Sequence, residues 1–188
     1  LQGEASLAIE HLERVLASIP EDDPIRPHAL NAVGECLFVL DDLGRSDESF
    51  RAAQRLLDES DALAWSIVVG NRADVAAREG RYQDALDLYR VARDRCEALE
   101  LHGPAARLAL EFGEVLGHAG LVDEAIAEID AASTRLEQHD LAFECGRARL
   151  SLGVLHMRMG RFEEAVVLFD RASRHFDAID NRRMVERA

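Results

Sequence analysis

The chain has 188 residues, enough for one domain with a substantial buried area. Its net charge of −14 argues against a general nucleic-acid binder, which needs a cationic surface, and no apolar run approaches the ~18 residues of a membrane span. A hydrophobic share of 48% with only 5% aromatics describes Ala/Leu/Val-rich helices.

The first segment, residues 3–18, predicts a helix in which Ala8, Leu12 and Val15 recur at helical spacing after Gly3. Pro20, Pro24 and Pro27, with Glu21-Asp22-Asp23 among them, mark the clearest break. A helix from about Arg26 to Asp42 follows, with Leu30, Val33, Leu37 and Leu40 as its apolar stripe. Gly44 predicts a turn before a helix from about Asp47 to Glu59, in which Ser49 stands where a small packing residue is expected. Asp61 is placed to cap the helix carrying Trp65, Val68, Val69, Ala73 and Ala76. Gly80 ends that helix, and the next runs from Tyr82 to about Leu101. His102-Gly103-Pro104 is a stop and restart. Helices over 105–118, 122–138, 141–158 and 162–178 follow, and Asp180 to Ala188 reads as the opening of a further one.

One stretch recurs through this order. Gly80-Arg81-Tyr82-Gln83-Asp84-Ala85, Gly120-Leu121-Val122-Asp123-Glu124-Ala125 and Gly160-Arg161-Phe162-Glu163-Glu164-Ala165 lie 120 − 80 = 40 and 160 − 120 = 40 residues apart. Each is followed four residues later by Tyr89, Ile129 or Phe169, and then by Ala92, Ala132 or Ala172. A fixed period of this size means stacked supersecondary units. The glycine stops one helix, the acids suit the positive N-terminal end of the next, and the small alanine lets two helices cross closely.

These residues resemble the tetratricopeptide repeat, whose pattern has Leu-Gly-x2-Tyr in the first helix and Ala-x3-Phe in the second. Leu152-Gly153-x2-His156 precedes Ala165-x3-Phe169, and Phe112-Gly113-x2-Leu116 precedes Ala125-x3-Ile129. The period of 40 exceeds the family's 34, and the first-helix tryptophan and closing proline are absent. Long repeats of this kind are similar to those of bacterial regulators and multidomain signalling proteins. The resemblance implies an all-α fold, an α-α superhelix (solenoid) of antiparallel hairpins with first helices on the concave side. The expected organisation is one domain over 1–188, a fragment of a longer array. Its units are approximately 1–24 (partial), 25–60, 61–102, 103–139, 140–179 and 180–188 (partial). Uncapped ends suggest a possible homodimer.

No glycine-rich phosphate loop, Gly-x-Ser-x-Gly elbow or His-Glu-x-x-His occurs, so no enzyme, cofactor or metal is expected. Glu111, Glu114 and His118 share a helical stripe, but a solvated polar face explains them better than a metal site. Cys36, Cys96 and Cys145 are odd in number, lack metal spacing and read as small buried thiols; with no signal-peptide pattern, they point to a cytoplasmic setting. Trp65, Tyr82, Tyr89, Phe112, Phe143, Phe162 and Phe169 fall mostly on packing positions and are expected in the core.

Carrying over the family's groove positions gives Asn71, Asp74 and Arg78 in one unit. The next gives Arg107, Leu110, Glu111, Glu114 and His118, and the last gives Arg147, Leu150, Ser151, Val154 and Arg158. The arginines could take carboxylates of a peptide bidentately, or pair with Glu111, Glu114 and Asp74 across adjacent helices. Gly70, Asp74, Leu110, Glu114, Leu150 and Val154 stand where the family's clamp for C-terminal carboxylates has lysines and asparagines, which argues against a chaperone-tail receptor. The expected function is a non-catalytic protein- or peptide-binding scaffold of a larger bacterial regulatory or signalling protein, with no direct nucleic-acid or membrane partner. Alternatives are a ligand-sensing segment of a transcriptional regulator, or an accessory domain on a protease-like or nucleotide-switch module.

Overall fold

The structure, a computed structural model, describes the backbone of residues 2–57 and 61–185 and the side chains of 3–57 and 61–179. Among the described residues there are nine helices and no strand. They are α1 (Gln2–Ser18), α2 (Arg26–Val39), α3 (Leu43–Leu56), α4 (Ala62–Arg78), α5 (Tyr82–Ala98), α6 (His102–His118), α7 (Val122–Gln138), α8 (Ala142–Arg158) and α9 (Phe162–Val185). No helix is long and apolar enough to cross a membrane among the described residues. The chain forms two compact units, residues 1–99 and 100–188. In the first, α2 pairs with α3 and α4 with α5, while α1 packs on α2 and α3 on α4. In the second, α6 pairs with α7 and α8 with α9, and α7 packs on α8.

Small residues opposite large ones fix these hairpins. A Cβ on Gly34, Gly113 or Gly153 would fall 2.5, 2.6 or 2.5 Å from Phe50, Ile129 or Phe169. Ala73 and Tyr89, 0% and 1% exposed, hold the same places in the α4/α5 hairpin. The larger residue always follows the smaller by sixteen positions (50 − 34, 89 − 73, 129 − 113, 169 − 153), so every unit repeats one crossing. Ala85, Ala125 and Ala165 are buried beside it. Ala73, in a pair that matches Leu-Gly poorly by residue type, thus still stands in the small-residue place of the crossing.

The turns are equally uniform. Gly80, Gly120 and Gly160 have φ of 77°, 88° and 75°. The residue after each glycine donates its N–H back to Ala76, Leu116 or His156, and the glycine itself donates to Ala77, Gly117 or Met157. This pair of bonds satisfies carbonyls that a helix end would otherwise leave unpaired.

The α2/α3 turn corrects the sequence reading. Gly44 makes no turn; it lies in the first turn of α3. The left-handed residue is Asp41 (φ 63°), with Asp42 donating to Leu37 and Asp41 to Phe38. Aspartate tolerates this conformation better than most side chains. The unit therefore comes within one residue of the 40-residue period, since 80 − 41 = 39. Ser46, not Ser49, takes the alanine position; it is fully buried and donates its hydroxyl to the Gly34 carbonyl at 2.8 Å.

Three further expectations change. α6 begins at His102 rather than 105, with Pro104 in the first turn, where its missing N–H has no intrahelical partner to lose. α9 runs unbroken to Val185, so Asp180 opens no new helix, and 186–188 lie outside the described residues. Phe143 and Phe162 are 54% and 65% exposed rather than core. The Asp61 cap is present, accepting from the Ala64 N–H at 3.2 Å, while the expected end of α3 at Glu59 lies outside the described residues.

Candidate functional site

Residues three and four apart on a helix share a face. Arg107, Glu111, Glu114 and His118 therefore form one stripe of α6, and Arg147, Ser151, Val154 and Arg158 one stripe of α8. The two helices are neighbours within the second unit. Arg147 reaches back from α8 with one Nη 2.6 Å from Glu114 and the other 3.7 Å from Glu111. Ser151 donates its hydroxyl to the other Glu114 oxygen at 2.7 Å. Arg107 pairs with Glu144 at 2.9 Å. Both carboxylates of the α6 stripe, Glu111 and Glu114, are thus turned to Arg147.

Arg158 is different. Its Nη1 donates to the Gly117 carbonyl at 2.7 Å, near the C-terminus of α6, and it has no carboxylate partner among the described residues. It borders a cavity of about 370 Å³, lined also by Glu114, Gly117, His118, Leu150, Ser151, Val154 and Leu155. Leu150 and Val154 are 44% and 40% exposed on this face. Gly117 helps shape the floor, since a Cβ there would come 2.9 Å from Leu155.

In the first unit, the Asn71 side-chain amide donates to Oδ1 of Asn31 at 2.9 Å and to Glu35 at 3.3 Å, joining α4 to α2. Arg78 lies over the Phe38 ring, 4.8 Å from its centroid, and pairs with Asp41 at 3.3 Å. Asp74 accepts from the Tyr89 hydroxyl. All three candidates share a face of α4, but each is held by a different neighbour.

A second cavity of about 620 Å³ lies between Glu137, Asp140, Cys145, Arg174, His175 and Ile179. Burial pushes the Cys145 thiol up from its ordinary value, which leaves it protonated at neutral pH and a poor nucleophile. Burial, and then the Arg149 guanidinium, hold His175 below the ordinary imidazole value. Arg149 itself is spent on Glu137 and on the Cys145 carbonyl.

Of the two roles left open for the groove arginines, Arg147 takes the pairing with Glu111 and Glu114, and three partners left no signal in the sequence. Glu144 and Tyr89 are separated from Arg107 and Asp74 by long stretches of chain. The Gly117 carbonyl is a backbone group and leaves no trace in residue type.

No family model matches the sequence, and no curated protein matches it. Solved structures do resemble it. A Rap protein complexed with competence and sporulation factor is 20% identical, with a TM-score of 0.81, over 93% of this chain and 50% of that one. Aspartyl phosphate phosphatase F from Bacillus subtilis is 15% identical, with a TM-score of 0.77, over 84% and 42%. YrrB, a TPR protein with an unusual peptide-binding site, is 20% identical, with a TM-score of 0.58, over 91% and 82%. The chain spans about half the length of the Rap structure and less than half that of the phosphatase. With the repeated small-on-large crossing and left-handed turns described above, these likenesses identify the fold as a tetratricopeptide-like helical repeat.

Proposed function

We propose that this chain is a non-catalytic module that binds a protein segment or peptide on the α6/α8 face of its second unit, with an apolar side chain seated in the 370 Å³ cavity. The observation that carries the reading is the exposure of Leu150 and Val154 beside that cavity, on a face where Arg107, Arg147 and Ser151 are taken up by Glu144 and Glu114. Its volume lies at the lower end of the range for small-ligand pockets and suits one aliphatic or aromatic group. YrrB, described as having a peptide-binding site, supports the reading by analogy of fold. The setting we propose is a cytoplasmic, bacterial regulatory or signalling protein. The phosphatase name of one structural neighbour is not carried over: Cys145 is buried with its thiol pushed up, and the groove carboxylates are paired with arginine. The cavity equally favours, as a second reading, a small apolar ligand sensed by the same face. Phe162 and Val166, 65% and 66% exposed on α9, are the surface through which a second copy would pair.

The test is selection from a displayed random peptide library with the wild type, followed by binding to Leu150→Asp and Val154→Asp. Both positions are exposed, so the fold survives, as circular dichroism would check. The expected result is an enriched apolar anchor and at least about tenfold weaker binding to either variant. No enrichment, or equal binding by wild type and variants, would reject the reading.

A further inference from the structure

We infer that Gly117 sets the size of anchor that the α6/α8 cavity admits: it keeps the Leu155 side chain out of the cavity, so that an apolar group as large as a phenyl ring enters; this rests on the reading just given. The glycine is not a requirement of the fold. Ala77 and Met157 stand at the same place of the repeat, since 117 − 77 = 40 and 157 − 117 = 40. Gly117 lies in the body of α6, without the left-handed φ of Gly80, Gly120 and Gly160. Inside a helix glycine is less favourable than alanine, so its presence here needs another reason. The reason lies in what a side chain would displace. A Cβ on Gly117 would fall 2.9 Å from Cδ2 of Leu155, 3.8 Å from its Cδ1 and 3.7 Å from Cβ of Ala125.

This clash differs in kind from those at Gly113 and Gly153. There a Cβ meets the body of Ile129 or the ring of Phe169, which the crossing holds in place. Here it meets a terminal methyl of leucine, which turns between staggered rotamers at small cost. Leu155 lines the cavity, so the cavity is the open space into which that methyl turns. Gly117 and Ile129 line it as well, so the space runs from the α6/α8 face down to α7. Its volume of about 370 Å³ is more than twice the roughly 150 Å³ of an apolar cavity that takes up benzene. A phenyl ring therefore fits while Leu155 keeps its place. One methyl on residue 117 sends the leucine side chain into that volume and leaves room for a short branched group, not for a ring. Gly117 is thus a positioning residue, acting on the ligand through Leu155.

Two pools of fluorescein-labelled octapeptides test this, one with a fixed internal Phe and one with a fixed internal Val, the other positions drawn from Ala, Gly, Ser and Gln. Binding is read by fluorescence anisotropy with the wild type, Gly117→Ala, the Gly117→Ala/Leu155→Ala double variant and Leu150→Asp. The wild type should bind the Phe pool several-fold more tightly than the Val pool, as the larger buried area requires. Gly117→Ala should lower that ratio about tenfold, the low end of what one misfitting methylene costs in an apolar pocket. Leu155→Ala added to it should restore the ratio by emptying the space again, and Leu150→Asp should weaken both pools. A merely structural effect of Gly117→Ala would weaken both pools in proportion and leave the ratio unchanged, which overturns the inference, as would a wild type that favours the Val pool. A lowered ratio that Leu155→Ala fails to restore overturns the route through Leu155. An unchanged ratio in Gly117→Ala, with Leu150→Asp still weakening both pools, overturns the role of Gly117 and leaves the anchor standing. Binding of neither pool by the wild type overturns both.

Discussion

The ring of Phe169 fills the space that a side chain on Gly153 would need: a Cβ there would lie 2.5 Å from Cε1 of the ring. The clash is with the body of an aromatic ring in a close-packed crossing, so relief requires the two helices to part. Gly153→Ala should therefore destabilise the protein by about 1–3 kcal/mol, even after the better helix propensity of alanine is counted. Gly113→Ala should behave alike against Ile129. Gly103→Ala is the control, since its Cβ would meet only Leu141 at 3.7 Å, and it should be neutral or stabilising by up to about 1 kcal/mol. Urea unfolding of the three variants decides this; equal midpoints would remove the crossing from its place as the organising contact.

The turns separate backbone strain from packing. A Cβ on Gly120 would meet nothing within 4 Å, so Gly120→Ala tests the left-handed backbone alone. It should cost about 1–2 kcal/mol. Asp41 already bears such strain at φ 63°, and its pair with Arg78 is exposed on both sides. Asp41→Gly should be neutral or stabilising by up to about 1 kcal/mol, the released strain being offset in part by the lost surface pair. A thermal melt showing Asp41→Gly well below the wild type would contradict the assigned turn.

Arg147 and Glu114 tie α8 to α6 with side chains 32% and 26% exposed. A double-mutant cycle with Arg147→Ala and Glu114→Ala should return a coupling of about 1–2 kcal/mol, more than a fully exposed pair gives. A coupling near zero would contradict the pair as a tie between the two helices.

His175 supplies a pH dependence. Burial and the nearby Arg149 lower its folded-state value, with Glu137 opposing, and its cavity also holds Asp140, Cys145 and Arg174. As pH falls, the unfolded chain takes up this proton first. The stability contributed by the neutral ring is thus complete above the ordinary imidazole value of 6.5 and is lost as pH falls through the folded-state value. His175→Gln should reduce the loss of stability seen between about pH 7.5 and pH 5.5 in denaturant titrations. Parallel pH profiles for variant and wild type would assign that loss to other groups.

Much of the fold was legible because three glycines and three alanines keep one spacing, and both residue types act through their small size. The α2/α3 unit was misread for the same reason. Asp41 makes the glycine's turn, and Ser46 takes the alanine's place by giving its hydroxyl to Gly34. Phe143 and Phe162 were expected inside because helical spacing places a residue on a face without saying which element covers that face. Phe143 tilts against Phe176, with ring centroids 5.8 Å apart, and still keeps half its surface exposed. At the site, the pairing of Arg147 was foreseeable from opposite charges on neighbouring stripes. The bond made by Arg158 was not, since its partner is a carbonyl brought near by the α6/α8 packing.

The central claim concerns one face, and methyl NMR reads that face directly. With leucine, isoleucine and valine methyls labelled, the protein is titrated with a peptide enriched in the library selection. If the cavity seats the apolar anchor, the large shifts fall on Leu150, Val154 and Leu155, and vanish for a peptide whose anchor is replaced by serine. Large shifts centred instead on Val166 and Val167 of α9, with Leu150 and Val154 unmoved, would contradict it.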